Sequence, residues 1–218
     1  MNNYQVLRIS YNETKPFILD IHYAKRMPSI SYSFGLYLEN ELVGVVTYGS
    51  PASSSLCRGI AGDDYKKIVL ELNRLVLKNN IKNEASFLVS NSFKQLPKPS
   101  IIVSYADTSQ NHTGYIYQAT NFIYTGLSDK RTEWRMKNTN KHSKTICEQY
   151  TLEERKGDPD RFYIIDRPRK HRYIYIIANK KDKKKLFKEL KYHISDYPKG
   201  INTNYKTDNN INTQFTLL

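Results

Sequence analysis

The sequence predicts an α/β fold of the α+β type, with one mixed sheet and helices on its faces. Several short segments alternate apolar and polar residues with the period of two that strands show. Others show the 3.6-residue period of helices, and the two kinds of segment alternate up to about residue 137. Hairpins at both ends, with strand–helix–strand crossovers between them, are typical of a mixed sheet.

The N-terminal third is predicted to form a strand, a helix and a hairpin. Tyr4–Ser10 alternates weakly as a strand. A helix with Pro16 in its first turn follows and runs to about Lys25. Ser31–Leu38 and Leu42–Tyr48 alternate on either side of a short polar turn, which predicts a hairpin.

In the middle of the chain, Gly49–Asp63 is rich in Gly and Ser and is predicted to be a loop. Strands and helices then follow one another as far as residue 137. They are strand Glu71–Lys78, helix Ala85–Leu96, strand Ser100–Tyr105, helix His112–Asn121, and strands Phe122–Gly126 and Glu133–Lys137.

The regular succession of strands and helices ends near residue 137, which predicts that the chain has three parts. Residues 1–137 form the catalytic domain, residues 138–200 a basic β-β-α extension, and residues 201–218 a polar tail. The extension contains strands Phe162–Asp166 and Tyr173–Ala178 and helix Lys180–Tyr192.

The composition excludes two classes of protein. No apolar run approaches the roughly 20 residues of a membrane span, and the start of the chain lacks the pattern of a signal peptide. Cys57 and Cys147 are the two cysteines, too few for a disulfide framework or a cysteine-rich metal site. We expect a cytoplasmic protein in a reducing environment, with no membrane partner.

The charge predicts a polyanionic partner. The net charge is +13, and from Met136 onward 19 basic residues face 10 acidic ones. Lys and Arg displace counterions from phosphates, so nucleic acid is the expected partner, and a basic solvated surface is the alternative. The expected nucleic-acid contacts are Arg58, Arg169, Lys170 and Arg172. The last three lie in a basic run beside tyrosines.

The segment Ser104–Gly126 carries the strongest signal for an active site. An apolar strand runs into Asp107, and a polar turn with His112 and a short helix with Tyr117 follow. Carboxylate, imidazole and phenol groups perform acid–base chemistry and also supply the N and O ligands of open iron sites. No local ligand spacing favours the metal over acid–base chemistry.

Two turns have features of phosphate-binding loops. Asn79–Ser86 joins a strand to a helix, and a helix start presents free N–H groups to an anion. Arg58–Gly62 resembles a glycine turn but lacks the strand–turn–helix context, so a flexible loop is the preferred interpretation.

The order of elements resembles the GNAT acyltransferase fold, and the motifs resemble the Mom family of phage DNA-modification proteins. The resemblance covers Tyr4 to Lys137. Its motifs are His22-Tyr23, Glu71-Leu72-Asn73-Arg74-Leu75, Ser104-Tyr105-Ala106-Asp107, and His112 to Phe122 with Gly114, Tyr117 and Gln118.

The resemblance implies a function and a set of site residues. The family converts adenine N6 in DNA to its carbamoylmethyl form, which protects phage DNA from host restriction. The catalytic residues implied are His22, Tyr23, Asp107 and Tyr117. An iron ion on His22, Asp107 and Tyr117, and acetyl-CoA or a related acyl donor, are also implied. The donor contacts would be Leu75, Val76, Asn79, Asn80, Ala85 and Ser86, although this loop lacks the glycines usual in GNAT proteins.

Two alternative functions remain at this point. One is a CoA-dependent N-acetyltransferase acting on tRNA, a protein or a small amine. The other is a non-catalytic DNA-binding protein that counters host defence. A carbamoylmethyl product joins N6 to a CH₂ carbon, whereas plain acyl transfer joins it to a carbonyl carbon. Chemistry beyond ordinary acetyl transfer is therefore expected of the Mom-like enzyme.

Overall fold

A computed structural model describes residues 3–141 and 143–200, which form a seven-stranded sheet and a separate two-stranded ribbon. The strands are β1 Tyr4–Arg8, β2 Tyr32–Leu38, β3 Glu41–Gly49, β4 Val69–Leu77, β5 Ser100–Asp107, β6 Ile123–Leu127, β7 Arg131–Met136, β8 Phe162–Arg167 and β9 Lys170–Ile177. The helices are α1 Tyr11–Pro16, α2 Ser54–Ala61, α3 Glu84–Ser92, α4 Tyr115–Ala119, α5 Ser143–Gln149, α6 Leu152–Gly157 and α7 Lys180–Glu189. None of these helices is long and apolar enough to span a membrane.

The large sheet has the order β1-β2-β3-β4-β5-β9-β6. All of its neighbouring strands are antiparallel except β4 and β5, which are parallel. Strands β7 and β8 pair only with each other, as an antiparallel ribbon. The predicted mixed α/β sheet is confirmed.

The parallel pair separates along its length. Val69–Glu71 is in register with Ile101–Val103, but the later residues of the two strands are not paired. The hydroxyl of Ser104 still donates to the carbonyl of Leu72, at 2.9 Å. Beyond this bond a cleft opens between the two strands, as expected of a GNAT-like sheet.

Apolar side chains cover both faces of the large sheet. On one face Leu72 and Ile102 pack with α3 and α4 in the largest core cluster. On the other, Ile101 and Val103 pack with residues of α2 and α7. The alternation along β5 therefore places consecutive side chains on opposite faces.

The sheet does not follow the predicted division at residue 137. Strand β9 lies between β5 and β6, so part of the predicted extension is built into the sheet of the catalytic domain. Strand β8, in contrast, leaves the large sheet and pairs with β7. The predicted tail, residues 201–218, lies outside the described residues.

Helix α2 corrects the predicted loop Gly49–Asp63. Ser53 caps the helix, since its hydroxyl accepts the N–H of Leu56 at 3.2 Å. Cys57, Ile60 and Ala61 face the core at helical spacing. The glycines and serines of the segment hid this periodicity.

Candidate active site

The candidate site lies where β4 and β5 diverge, and the segment after α1 covers it. This segment is fixed to β4 by two hydrogen bonds to its carbonyls. Asn73 donates to Ser29 at 2.7 Å, and Arg74 donates to Arg26 at 2.9 Å. A Cβ on Gly49 would lie 1.8 Å from the Ser29 carbonyl oxygen, so only glycine permits this approach to β3.

A π-helical turn places His22 in the site. Helix α1 ends at Pro16, and Phe17–Ile21 continues it as a single wide turn. Proline removes one i→i−4 hydrogen bond, and π turns often occur at functional sites. The N–H of His22 closes the turn by donating to the Phe17 carbonyl at 3.0 Å.

The imidazole of His22 is buried, neutral and fixed in one tautomer. Its Nδ1 accepts the N–H of Ala24 at 3.0 Å, so the proton of the neutral ring is on Nε2. Burial, and then the positive charge of Arg74, lower the pKa of His22 to about 3. Nε2 is buried and has no hydrogen-bond partner among the described residues. His22 therefore offers one unused N–H donor.

Tyr23 connects His22 to the rest of the site. Its ring stacks on His22, with centroids 4.5 Å apart and planes inclined by 27°. Burial and the negative charge of Asp107 raise the pKa of Tyr23, and Arg74 lowers it. The structure thus brings the predicted residues His22, Tyr23 and Asp107 into one region, although 84 residues separate Tyr23 from Asp107 in sequence.

The carboxylate of Asp107 is occupied by neighbours. Oδ1 accepts the N–H and the hydroxyl of Ser109, at 3.0 and 2.7 Å. Oδ2 pairs with Nζ of Lys170 at 3.1 Å. Burial alone would raise the pKa of Asp107, but Ser109 and Lys170 outweigh it and lower the pKa. Asp107 is therefore an ionised, weakly basic group that anchors the end of β5.

Tyr117 approaches the cleft from the face of the sheet that α3 and α4 cover. It is buried, and its ring packs on Phe122 and Tyr173. Burial raises the pKa of Tyr117, Ser104 lowers it, and the charges of Tyr23 and Glu71 raise it further. Tyr117 is therefore a neutral phenol that interacts with both sides of the cleft.

The predicted iron set does not fit the metal. Nε2 of His22 carries a proton, and moving it to Nδ1 would direct two donors, this N–H and that of Ala24, at each other. Both oxygens of Asp107 have partners, and one partner is the cation Lys170. The described residues also contain no group of three or more His, Cys, Asp or Glu side chains suited to a metal. The iron prediction is therefore not supported.

The predicted donor loop, Asn79–Ser86, is closed by an acidic side chain. Glu84 is buried at the first position of α3, where Oε2 accepts the N–H of Ile81 and Oε1 accepts the hydroxyl of Tyr4, each at 2.9 Å. Its negative charge opposes a second anion at this helix start. A phosphate of acetyl-CoA at this helix start would meet that charge, so the contacts of Glu84 do not favour Asn79, Asn80, Ala85 and Ser86 as a phosphate cradle.

The other predicted donor contacts, Leu75 and Val76, are core residues. Both are 1% exposed, and they lie on opposite faces of β4. They support the wall of the cleft through packing.

A cavity of about 430 Å³ adjoins the cleft, and no motif in the sequence indicates it. Its lining includes the acidic residues Glu71 and Asp129 and the aromatic residues Tyr105 and Tyr192. Basic side chains complete much of the wall, namely Arg131, Arg167, Lys170 and Arg172. Two residues of the cavity interact with predicted catalytic residues. The charge of Glu71 raises the pKa of Tyr117, and Lys170 forms an ion pair with Asp107.

Glu71 is the group in this cavity best suited to acid–base chemistry. Burial raises its pKa, whereas Lys170 and Arg74 lower it. Its side chain makes no hydrogen bond with the described part of the chain, so both oxygens are available to a ligand. Sequence reasoning included Glu71 in a motif without giving it a role, because a carboxylate in an alternating strand looks like a solvent-facing residue.

Of the predicted nucleic-acid contacts Arg58, Arg169, Lys170 and Arg172, only Arg58 is fully exposed. Arg172 is buried: it donates to the hydroxyl and the carbonyl of Thr125, each at 3.0 Å, and stacks 3.3 Å over Tyr192. Arg169 donates to the carbonyl of Ser128. Lys170 is half-buried beside Asp107, and Arg58 is exposed on α2.

Known structures with acetyltransferase folds resemble this chain loosely. An acetyltransferase of the GNAT family from Bacillus cereus ATCC 10987 is 13% identical, with a TM-score of 0.44, and the match covers 81% of this chain and 99% of that one. A GNAT family acetyltransferase from Elizabethkingia anophelis with acetyl-CoA bound is 11% identical, with a TM-score of 0.44 and the same coverages.

Sequence relatives are more informative. The chain is 27% identical to the protein named methylcarbamoylase mom of Escherichia phage Mu over 188 residues, which cover 82% of this chain and 76% of that protein. The model of the Mom protein family matches residues 3–199, which include the π-turn His22, the cleft, the cavity and the ribbon. This chain therefore belongs to the Mom protein family.

Proposed function

We propose that this protein is a transferase that adds a carbamoylmethyl group to N6 of adenine in DNA. The observation that carries the proposal is the half-buried side chain of Glu71, which lines a cavity together with aromatic and basic residues. The family and the relative from phage Mu support DNA modification as the general activity.

The cavity suits an extruded nucleobase. Ligand pockets typically measure about 300–1,000 Å³, and this one lies in that range. Tyr105 provides a ring on which a base can stack, at a typical gain of about 1–3 kcal/mol per base, whereas Arg172 already covers one face of Tyr192. This gain offsets the cost of a few kcal/mol for removing the base from the duplex.

Glu71 supplies the base that adenine N6 requires. The N6 lone pair is delocalised into the purine ring, so the amine attacks only as it loses a proton. A carboxylate whose pKa is raised accepts that proton more readily than an ordinary one. Asp107 is less suitable because Ser109 and Lys170 lower its pKa. We assign the base to Glu71, and the catalytic role predicted for Asp107 becomes that of holding Lys170.

Tyr117 and His22 act on the molecule that donates the carbamoylmethyl group. As the bond from N6 to the CH₂ carbon forms, the bond from that carbon to the leaving group breaks with its electron pair. The N6 proton passes to Glu71, and the neutral Tyr117 hydroxyl donates a hydrogen bond to the leaving group as it departs with the electron pair. The free Nε2–H of His22 donates to the carbamoyl oxygen. The reacting carbon is not a thioester carbonyl, since that would give an amide at N6.

The protein would act on phage DNA in the host cytoplasm, the location predicted from the sequence. The proposal is tested by cleavage of plasmid DNA from cells that express the protein, using restriction endonucleases whose sites contain adenine. DNA from wild-type cells should resist cleavage, and DNA from cells expressing Glu71→Gln should be cut. Full cleavage of both DNAs, with folded protein present, would reject the proposed activity.

A further inference from the structure

We propose that the β7–β8 ribbon grips the phosphodiester backbone of DNA beside the extruded nucleotide, through Arg131 and Arg167. This inference rests on the proposed function, since it assigns the surface that holds the substrate of the cavity. Neither arginine was among the nucleic-acid contacts predicted from the sequence.

The two arginines form a like-charge pair. Arg131 begins β7 and Arg167 ends β8, and the register of the ribbon places them directly opposite each other. Like charges in that relation destabilise a sheet. Both side chains are exposed, and neither forms an ion pair with any residue in the ranges 3–141 and 143–200. No ion pair therefore offsets the repulsion between them in the described part of the chain.

Nearby arginines have partners. Arg135 lies on the same face of the ribbon and pairs with Glu133 on its own strand. Arg155 donates to the Thr151 carbonyl at 3.0 Å and lies over the ring of Trp134. Of these four arginines in the described part of the chain, only Arg131 and Arg167 have no side-chain hydrogen bond, ion pair or ring contact.

That end of the ribbon lies at the cavity. Arg131 and Arg167 line it together with Glu71, so a backbone held by the arginines would pass close to the carboxylate. The geometry suits DNA, because the nucleotide whose base enters the cavity remains joined to the backbone outside. Guanidinium groups bind phosphate oxygens in a bidentate manner, and a phosphate between two of them relieves their repulsion.

The ribbon is stiff enough to hold this pair in place. A two-stranded ribbon alone is marginally stable in water. Here its other face packs on α5 in a small core of Met136, Ile146 and Phe162. Tyr150 and Trp134 extend this core, and Tyr150 packs on Phe162 with ring centroids 4.9 Å apart.

The test measures the affinity of the full chain for a short duplex as a function of salt concentration. The variant Arg131→Ala/Arg167→Ala should bind more weakly, and the slope of log K against log salt should become shallower by about 2 units, one for each lost phosphate contact. Arg131→Lys/Arg167→Lys should keep the slope, because it keeps both charges. Lys181→Ala/Lys184→Ala, which removes two exposed charges from α7, should keep both the affinity and the slope.

The alanine variant should unfold at the same temperature as the wild type or a higher one, since it removes a repulsive pair. If it binds with unchanged affinity and slope, or if the α7 control loses as much affinity, the ribbon proposal is wrong. Nucleoside analysis separates this failure from that of the proposed function. Wild-type protein that binds with the expected slope but yields only unmodified adenine would reject the function and leave the ribbon proposal intact.

Discussion

The backbone N–H of Ala24 donates to Nδ1 of His22 at 3.0 Å, and this bond sets the chemistry of the imidazole. It fixes the remaining proton on Nε2, which is buried without a partner among the described residues. A histidine in this state is a hydrogen-bond donor and is not ready to bind a metal through Nε2. This hydrogen bond therefore disfavours iron binding by His22 and agrees with the role of hydrogen-bond donor that we assign to it.

His22 should remain neutral across the physiological pH range. Because its pKa is lowered to about 3, its ring ¹⁵N shifts should be those of the Nε2–H tautomer and should not change between about pH 5 and 8. NMR of protein labelled at histidine measures this directly, with exposed His193 as an internal comparison. A titration of His22 in this range, or paramagnetic broadening of its signals by stoichiometric ferrous iron, would contradict our description.

Replacing Glu71 should remove the general base. Glu71→Gln keeps the size of the side chain, so we expect a loss of rate of roughly 10²–10⁴-fold with little change in DNA affinity. Single-turnover assays and duplex titrations measure the two quantities. Glu39→Gln, in the exposed turn between β2 and β3, is the matched control. A Glu71→Gln enzyme that retains the wild-type rate would rule out the assignment.

The rate should also depend on pH in a manner set by Glu71. The base acts in its ionised form, and burial raises its pKa. The wild-type rate should therefore fall on acidification at a higher pH than an ordinary glutamate would cause. This fall should be absent from the residual rate of Glu71→Gln. Identical pH profiles for the two proteins would show that another group titrates.

Asp107 should contribute to stability at neutral pH. Its folded-state pKa is lowered, so its contribution is present above the unfolded pKa of about 3.9 and is lost as the pH falls through the folded value. We expect Asp107→Asn to lower the free energy of unfolding by about 1–2 kcal/mol near pH 7, and by less below about pH 4. Denaturant unfolding at both pH values measures this. Asp64→Asn, at an exposed site, is the control, and a loss independent of pH would contradict the prediction.

Gly114 should be required for the position of Tyr117. It has a φ of +78° at the start of α4, and a Cβ there would lie 2.3 Å from the ring of Tyr173. Gly126 has a nearly identical φ of +79°, but a Cβ there would meet nothing within 4 Å. Gly126→Ala should therefore cost only the backbone strain of about 1 kcal/mol, and Gly114→Ala an additional 1–3 kcal/mol or so from the clash. Equal unfolding free energies for the two variants would show that Tyr173 moves aside freely.

Local patterns in the sequence predicted most of the strands but not where the last of them pairs. The alternation over Tyr173–Ala178 predicted the core of β9, because side-chain period is a local property. Its place between β5 and β6 depends on pairing with residues 44–77 positions away in the sequence, which periodicity does not encode. The predicted boundary at residue 137 failed for this reason.

The candidate site shows the same difference between local sequence patterns and contacts that form only in the folded chain. His22, Tyr23, Asp107 and Tyr117 were found through motifs, and the structure brings them together. The surroundings that give Glu71 its role include Lys170 and Tyr105, which lie near it only in the folded sheet. The opposition of Arg131 and Arg167 likewise requires the register of β7 and β8. Helix α2 differs, because its cap Ser53 and the helical spacing of its apolar residues are local features, although the glycines and serines of the segment masked them.

Mass spectrometry of nucleosides from the DNA of cells expressing this chain tests the central claim most directly. Our account predicts a deoxyadenosine derivative whose added mass equals a carbamoylmethyl group, with fragmentation placing that mass on the base. The derivative should be absent from cells expressing Glu71→Gln. An unmodified adenine pool in cells that contain the folded wild-type protein would contradict the account, as would the added mass on another base.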